Sequence, residues 1–394
     1  MRPLASITLQ MKNPIFVILI GLVFTSCGES QKKDYTSVED ISLLEIEIDS
    51  LFNSYYNDNE PAAAIFISYN GKEVIKKTYG LRNVEEGEKA NNNTNFNAGS
   101  ITKQFTALGI LNLVDEEKVQ LTDAVYKYFP YPIFKNVTIE QLISHTSGIE
   151  DADWVVRKNW KTTDYMTVDD IMNWYKKNEV IRFNPGTQFE YNNGAYCVLV
   201  KLIEQVSGRK FSEYMNEVLF DRIGMENTYF VTEENFKKIP EMAVSYERDT
   251  LGNWISNDPY YYSNALVGPT GLYTNLNDYS KYLEALRKHQ IIEETSHEVI
   301  FKPVSMDIEL HSADMRSLKG KKSSYTMGWE VTDSLAVSAG AGFGINNWSI
   351  FEFKRPVSIV IFTNNDILFK ENLVDKTYNI IDRTIKTDTN NVYN

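Results

Sequence analysis

Gly99-Ser100-Ile101-Thr102-Lys103-Gln104-Phe105-Thr106 is the stretch on which the reading of this chain turns. Side chains three positions apart share one face of a helix, so the Ser100 hydroxyl and the Lys103 amine can meet. A serine hydroxyl attacks a carbonyl only when a base takes its proton, and an amine serves as that base only when burial or neighbouring charge lowers its pKa. A helix start also offers free backbone N–H groups where an oxyanion would form. Ile101, Phe105, Leu108, Leu111 and Val114 recur at helical spacing, which predicts an amphipathic helix opened by Ser100. Ser30 with Lys33 and Ser207 with Lys210 match the same spacing. The first lies in a polar leader and the second at a helix end before Gly208, so context favours Ser100.

Working outward, Leu43, Leu44, Ile46, Ile48, Leu51 and Phe52 predict a helix over 38–56. Residues 61–69 and 73–79 read as strands around Asn70-Gly71, a strong hairpin signal. Downstream comes Leu142-Ile143-Ser144-His145-Thr146-Ser147-Gly148, where His145 reads as a structural or capping residue. His289, His297 and His311 have no partners at metal-ligand spacing, so neither a metal nor a cofactor is expected. Residues 150–182 read as helix and loop, Asn184-Pro185-Gly186 as a turn, and 195–207 as an apolar helix with Cys197 a buried small hydrophobe. Residues 335–338, 348–353 and 357–363 predict three antiparallel strands, the first two separated by a Gly-rich loop. A closing helix over 372–385 and a frayed polar end follow.

The chain has 394 residues, 43% hydrophobic and 13% aromatic, enough for one large domain or two smaller ones, and a formal charge of −13. An acidic surface without basic clusters argues against nucleic-acid binding. Ile15 to Phe24 form an apolar run too short to span a bilayer as a helix, preceded by Lys12 and followed by small residues, as in a processing signal. Phe24-Thr25-Ser26-Cys27-Gly28 resembles a bacterial lipobox, which implies acylation of Cys27, a tether over 27–38 and a protein anchored to a membrane of the bacterial envelope. An ordinary cleaved signal peptide is the alternative.

Six landmarks in order resemble the serine β-lactamase and penicillin-binding-protein superfamily, in its class C β-lactamase-like branch of esterases and D-amino-acid peptidases, over about residues 39–386. They are Ser100-Ile101-Thr102-Lys103; the His145 segment; Pro185-Gly186-Thr187 with Tyr191-Asn192-Asn193; Ile223-Gly224-Met225-Glu226-Asn227-Thr228; Gly271-Leu272-Tyr273-Thr274-Asn275; and the late strand pair. The resemblance implies an α/β fold, an antiparallel sheet (39–99 and 290–386) flanked by helices, with a mostly helical part (100–289) and a polar tail (387–394). It implies Ser100 as nucleophile, Lys103 as its proton partner, Tyr191 as a general base and acid whose phenolate Lys103 stabilises, and Asn193 as a substrate contact. Tyr55, Tyr262 and Tyr273 also begin Tyr-x-Asn triplets, and Tyr262-Ser263-Asn264 is the reserve.

The third family motif, Lys-Thr-Gly or His-x-Gly, aligns with Ser338-Ala339-Gly340, or in another register with Ala341-Gly342-Phe343. The first register leaves Ser338 where a cation belongs, and the oxyanion hole would be the N–H groups of Ser100 and Ala341. A carboxylate-bearing substrate should then bind more weakly, since a charged hydrogen bond is worth about 1.5–3 kcal/mol and a neutral one about 0.5–1.5. The expected function is acyl-enzyme hydrolysis of an ester, amide or lactam in a small-molecule or peptide substrate, cell-wall fragments included. The rival is an inactive envelope-binding protein that keeps the fold.

Overall fold

The computed structural model describes residues 38–161, 165–257, 266–303, 308–309, 322–342 and 344–385. The leader, Cys27, the tether as far as residue 37, Tyr262-Ser263-Asn264, Phe343 and the 387–394 tail lie outside them.

Eight strands form one antiparallel sheet: β1 (Ala63–Tyr69), β2 (Lys72–Tyr79), β3 (Ile308–Glu309), β4 (Lys322–Thr326), β5 (Trp329–Val331), β6 (Leu335–Gly342), β7 (Ile345–Glu352) and β8 (Val357–Thr363), in the order β3-β4-β5-β6-β7-β8-β1-β2. Asn70 and Gly71 both have positive φ, 51° and 71°, the two-residue turn that matches the twist of paired strands.

Both faces of the sheet are covered, and strand alternation sorts the side chains between them. Ala63, Ile65 and Ile67 join Trp348, Ile350, Ile359 and Ile361 in a core closed by α1 (Val38–Asn53) and α5 (Leu373–Thr384). Ala64 and Phe66 join Phe351, Val360 and Phe362 in the larger core beneath the helices inserted between β2 and β3. Three of those helices matter below: α2 (Thr102–Asp115), α3 (Asn193–Ser207) and α4 (Leu276–Arg287). Cys197 is fully buried on α3.

Two sequence expectations are corrected. α2 is not amphipathic: Thr102 to Leu113 are all buried. Its polar residues find partners inside the protein, Thr106 Oγ1 donating to Gly268 O at 2.9 Å, Gln104 Oε1 accepting from the Tyr279 and Tyr282 hydroxyls at 3.2 and 2.9 Å, and Asn112 Nδ2 donating to Tyr214 Oη at 2.8 Å. A helix buried on every side is the centre of a core rather than its edge.

The Gly-rich segment after Ser338 is also strand rather than loop, for β6 and β7 pair from Leu335↔Glu352 through Gly342↔Ile345. Gly340 serves close approach instead of a turn. A Cβ there would lie 2.2 Å from Ala98 O and 3.1 Å from Ser100 N.

Candidate active site

Ser100 sits in a 3-10 turn, Gly99–Ile101, that leads into α2. Gly99, at φ 57°, redirects the chain from the preceding extended segment, and its N–H is held by Asn97 Oδ1 at 3.0 Å. Thr102 Oγ1 donates to Gly99 O at 2.6 Å and accepts Leu272 N–H at 3.2 Å, so the quoted segment 271–275 backs the turn. Ser100 itself is half-buried and lines a cavity of about 270 Å³ with Tyr191, Tyr325, Glu330, Ala339 and Ala341.

Lys103 is completely buried below that hydroxyl. Its Nζ lies 3.2 Å from Ser100 Oγ, 2.8 Å from Asn193 Oδ1 and 2.8 Å from Pro269 O. Burial pulls the ammonium from 10.5 down to about 7, with Asp151, Asp153 and Cys197 opposing the shift. A neutral amine there gives its two hydrogens to Asn193 and Pro269 and turns its lone pair to Ser100.

Tyr191 closes the triad from a loop whose flanks are fastened by the His145 turn. Glu190 N–H donates to His145 O at 3.0 Å and Asn192 N–H to His145 Nδ1 at 3.2 Å. The His145 and Tyr191 rings lie 4.3 Å apart. His145, at φ 60° and fully buried, is kept neutral first by burial and then by the Lys103 charge. With Nδ1 accepting, its proton is on Nε2, and its role is the structural one its motif suggested.

Tyr191 lines the same cavity as Ser100, whose nearby hydroxyl acts to lower its pKa, and its ring lies 4.7 Å from Lys103 Nζ. Although the residue is 41% exposed, burial around the hydroxyl raises its pKa above the ordinary 10, as do Asp151, Glu330 and Asp153, against the lowering influence of the Ser100 hydroxyl. This reverses the order expected from sequence. Lys103 is the group poised near neutrality, and Tyr191 rests as a neutral phenol that can give or relay a proton.

Asn193 is the first residue of α3, behind an Asn192 cap that accepts Ala195 N–H at 2.8 Å. Its amide oxygen is occupied by Lys103. Asp151 accepts Gly194 N–H at 2.8 Å and Asn193 N–H at 3.3 Å, which fixes both the helix start and a carboxylate behind Lys103. Burial, then the Asp153 charge, push this carboxyl from 3.8 up to about 6.

β6 forms the opposite wall. Of the two registers considered, the one with Gly340 against the Ser100 backbone is found, while a Cβ on Gly342 would meet nothing within 4 Å. Successive residues of an antiparallel strand direct their main-chain groups to opposite neighbours. Asn346, the register partner of Ala341, donates its N–H to Thr363 Oγ1 at 3.1 Å and so faces away from β6. Ala341 therefore directs its N–H to the other edge, where among the described residues β5 reaches only Val337 and Ala336. The Ser338 hydroxyl differs from its expected role: it donates to Gly328 O at 2.9 Å, clipping the β4–β5 hairpin to β6, and has no hydrogen left for a ligand.

An alcohol, a near-neutral amine and a phenol meeting between a two-faced antiparallel sheet and an inserted helical region define the serine β-lactamase/transpeptidase class of fold. Residues 48–380 match the Beta-lactamase family, and the chain belongs to it. Protein flp of Staphylococcus aureus (strain MW2) is 33% identical over 199 residues, 48% of this chain and 38% of that protein, so the chain spans about two fifths of that relative's length. The putative penicillin-binding protein PbpX of Bacillus subtilis (strain 168) is 25% identical over 84% of this chain and 78% of its own. Among solved structures, EstCE1, described as a hydrolase with promiscuous acyltransferase activity, superimposes with a TM-score of 0.72 at 17% identity, covering 88% of this chain and 100% of its own.

Sequence reasoning brought Ser100, Lys103, Tyr191, Asn193, Gly340 and Ala341 to this site. It missed Pro269 and Gly328, which act through carbonyl groups that every residue has, and Asp151 and Glu330, two carboxylates without a distinguishing spacing.

Proposed function

We propose that this protein is a serine hydrolase that passes through an acyl-enzyme on an ester or amide carbonyl. The observation that carries the reading is Lys103: an amine near neutrality, 3.2 Å from an alcohol that shares its cavity with Tyr191. Ser100 Oγ attacks the carbonyl carbon as its proton passes to Lys103. The Ser100 and Ala341 N–H groups stabilise the oxyanion. Tyr191 protonates the leaving group and is reprotonated through Lys103, and water then releases the acyl group by the reverse proton path. The described activity of EstCE1 and the penicillin-binding relative support acyl transfer as the chemistry.

The test is labelling by a fluorophosphonate together with turnover of a short-chain nitrophenyl ester, both expected for the wild type and absent in Ser100→Ala. A wild type that is neither labelled nor active supports the binding-protein rival that the missing cation at Ser338 suggests. Attachment to the bacterial envelope through acylated Cys27 is a proposal from sequence alone. Mass spectrometry of the mature N-terminus checks it.

A further inference from the structure

β6 and the nucleophile turn meet at Gly340, and the residue across the ladder from that glycine is Asn347 on β7. Directly opposed residues of an antiparallel pair put their side chains on one face. Gly340 leaves room on that face for Ala98 and Ser100, and Asn347 reaches from the same face into the same turn. Its Nδ2 donates to Asn97 O at 2.7 Å, and its Oδ1 accepts Thr363 N–H at 2.9 Å. A carbonyl on one side and an N–H on the other allow this amide a single orientation. Both asparagines are buried, Asn347 completely.

The grip continues along the turn. Asn97 Oδ1 accepts Gly99 N–H at 3.0 Å, so Asn347 holds the main chain before Ala98 and Asn97 holds it after. The two N–H groups offered to an oxyanion come from the two pieces that Asn347 joins: Ser100 from the turn, and Ala341 from the strand residue after Gly340. Such a hole works only when both donors lie about 2.7–3.1 Å from the point where the charge develops.

We propose that Asn347, acting through Asn97, is a positioning residue that holds the Ser100 N–H in register with the Ala341 N–H of β6. The inference rests on the hydrolase reading above and adds to it a residue outside the substrate cavity. A loosened turn weakens the hold on the developing oxyanion far more than the hold on the resting ester, so kcat and kcat/KM fall together.

The experiment compares nitrophenyl butyrate with its thiono analogue, in which sulfur replaces the carbonyl oxygen, on wild type, Asn347→Ala and Asn97→Ala, each checked for folding by thermal unfolding. On the oxygen ester both variants are expected to lose about tenfold to 100-fold in kcat, the scale of a displaced donor, with KM changed less than about threefold. Sulfur is a weak acceptor and draws little on the hole. The wild type, with enzyme in excess, is expected to favour the oxygen ester by about 100-fold or more, and that ratio should shrink at least about tenfold in the variants. A smaller fraction of competent protein, which is all that a merely structural role would produce, falls on both substrates alike and cancels in the ratio.

An unchanged kcat in folded Asn347→Ala overturns the inference and leaves the hydrolase reading intact, as does a lower kcat with the oxygen-to-sulfur ratio preserved. If Asn347→Ala does not fold, Asn97→Ala decides by the same two criteria, since it frees the Gly99 N–H without touching β7. A folded wild type that hydrolyses neither ester overturns the hydrolase reading and this inference with it.

Discussion

Asp151→Asn tests the centre from behind, because it removes a charge that Lys103 feels without touching the substrate pocket. The carboxylate accepts the backbone N–H of Asn193, whose side chain accepts from Lys103 at 2.8 Å, so one residue separates the two charges. An opposite charge within ~4–6 Å shifts a pKa by about 1–3 units; at this greater remove about one unit, or about 1.4 kcal/mol, is expected. Asp151 favours the ammonium, so its loss takes the Lys103 pKa still lower than about 7. The acid limb of kcat/KM for a neutral nitrophenyl ester, followed from about pH 5 to pH 9, should move about one unit toward acid.

Stability gives an independent reading of the same substitution. The folded protein raises the Asp151 pKa from 3.8 to about 6, so the contribution of the carboxyl is full below the unfolded value and is lost as pH rises through about 6. Denaturant unfolding should show Asp151→Asn gaining on the wild type across that interval. A folded variant whose acid limb is unmoved, or moves toward alkali, refutes the assignment of Lys103 as the titrating base.

Lys103→Met should abolish ester turnover and improve thermal stability near neutral pH. The folded pKa lies below the ordinary 10.5, so the stability the lysine contributes is present above that value and lost as pH falls through about 7. The gain of the variant, measured by thermal unfolding, should grow as pH is lowered across that window. Gly340→Ala should lower the melting temperature and slow fluorophosphonate labelling of Ser100 at least tenfold, because the added Cβ would lie 2.2 Å from Ala98 O and must displace either β6 or the nucleophile turn. Unchanged labelling would show that the close approach of β6 does not hold Ser100 in place.

The parts of the site that could be read from the chain are those fixed by local geometry. Ser100 and Lys103 are one helical turn apart, and Asn70-Gly71 specifies its turn by backbone conformation. Two apolar layers on β1 follow from the period of a strand. What could not be read depends on partners distant in sequence. Thr102, Gln104, Thr106 and Asn112 looked like the wet face of α2 because nothing near them reveals Leu272, Tyr279, Gly268 or Tyr214. Gly340 fell within a segment read as a Gly-rich loop because glycine marks both loops and close contacts, and only the position of Ala98 decides between them. The proton affinities of Lys103 and Tyr191 were inverted for a related reason. The reading considered the attraction between their charges, while burial acts more strongly on both, lowering the amine and raising the phenol.

That inversion explains how acids behind the centre can assist a reaction whose base must start neutral. Before attack, Lys103 is an uncharged amine and the fields of Asp151 and Asp153 act on little. As the Ser100 proton arrives, an ammonium forms 4.7 Å from the Tyr191 ring centroid and 5.5 Å from that of Tyr196, within those same fields. The attraction is greater in the transition state than in the resting enzyme, which is the condition for it to accelerate the step. Asp151→Asn should therefore lower the rate on the alkaline plateau while moving the acid limb toward lower pH. A smaller fraction of competent enzyme depresses the whole profile without moving its limb. An altered base gives both changes together, in the directions set by the charge removed.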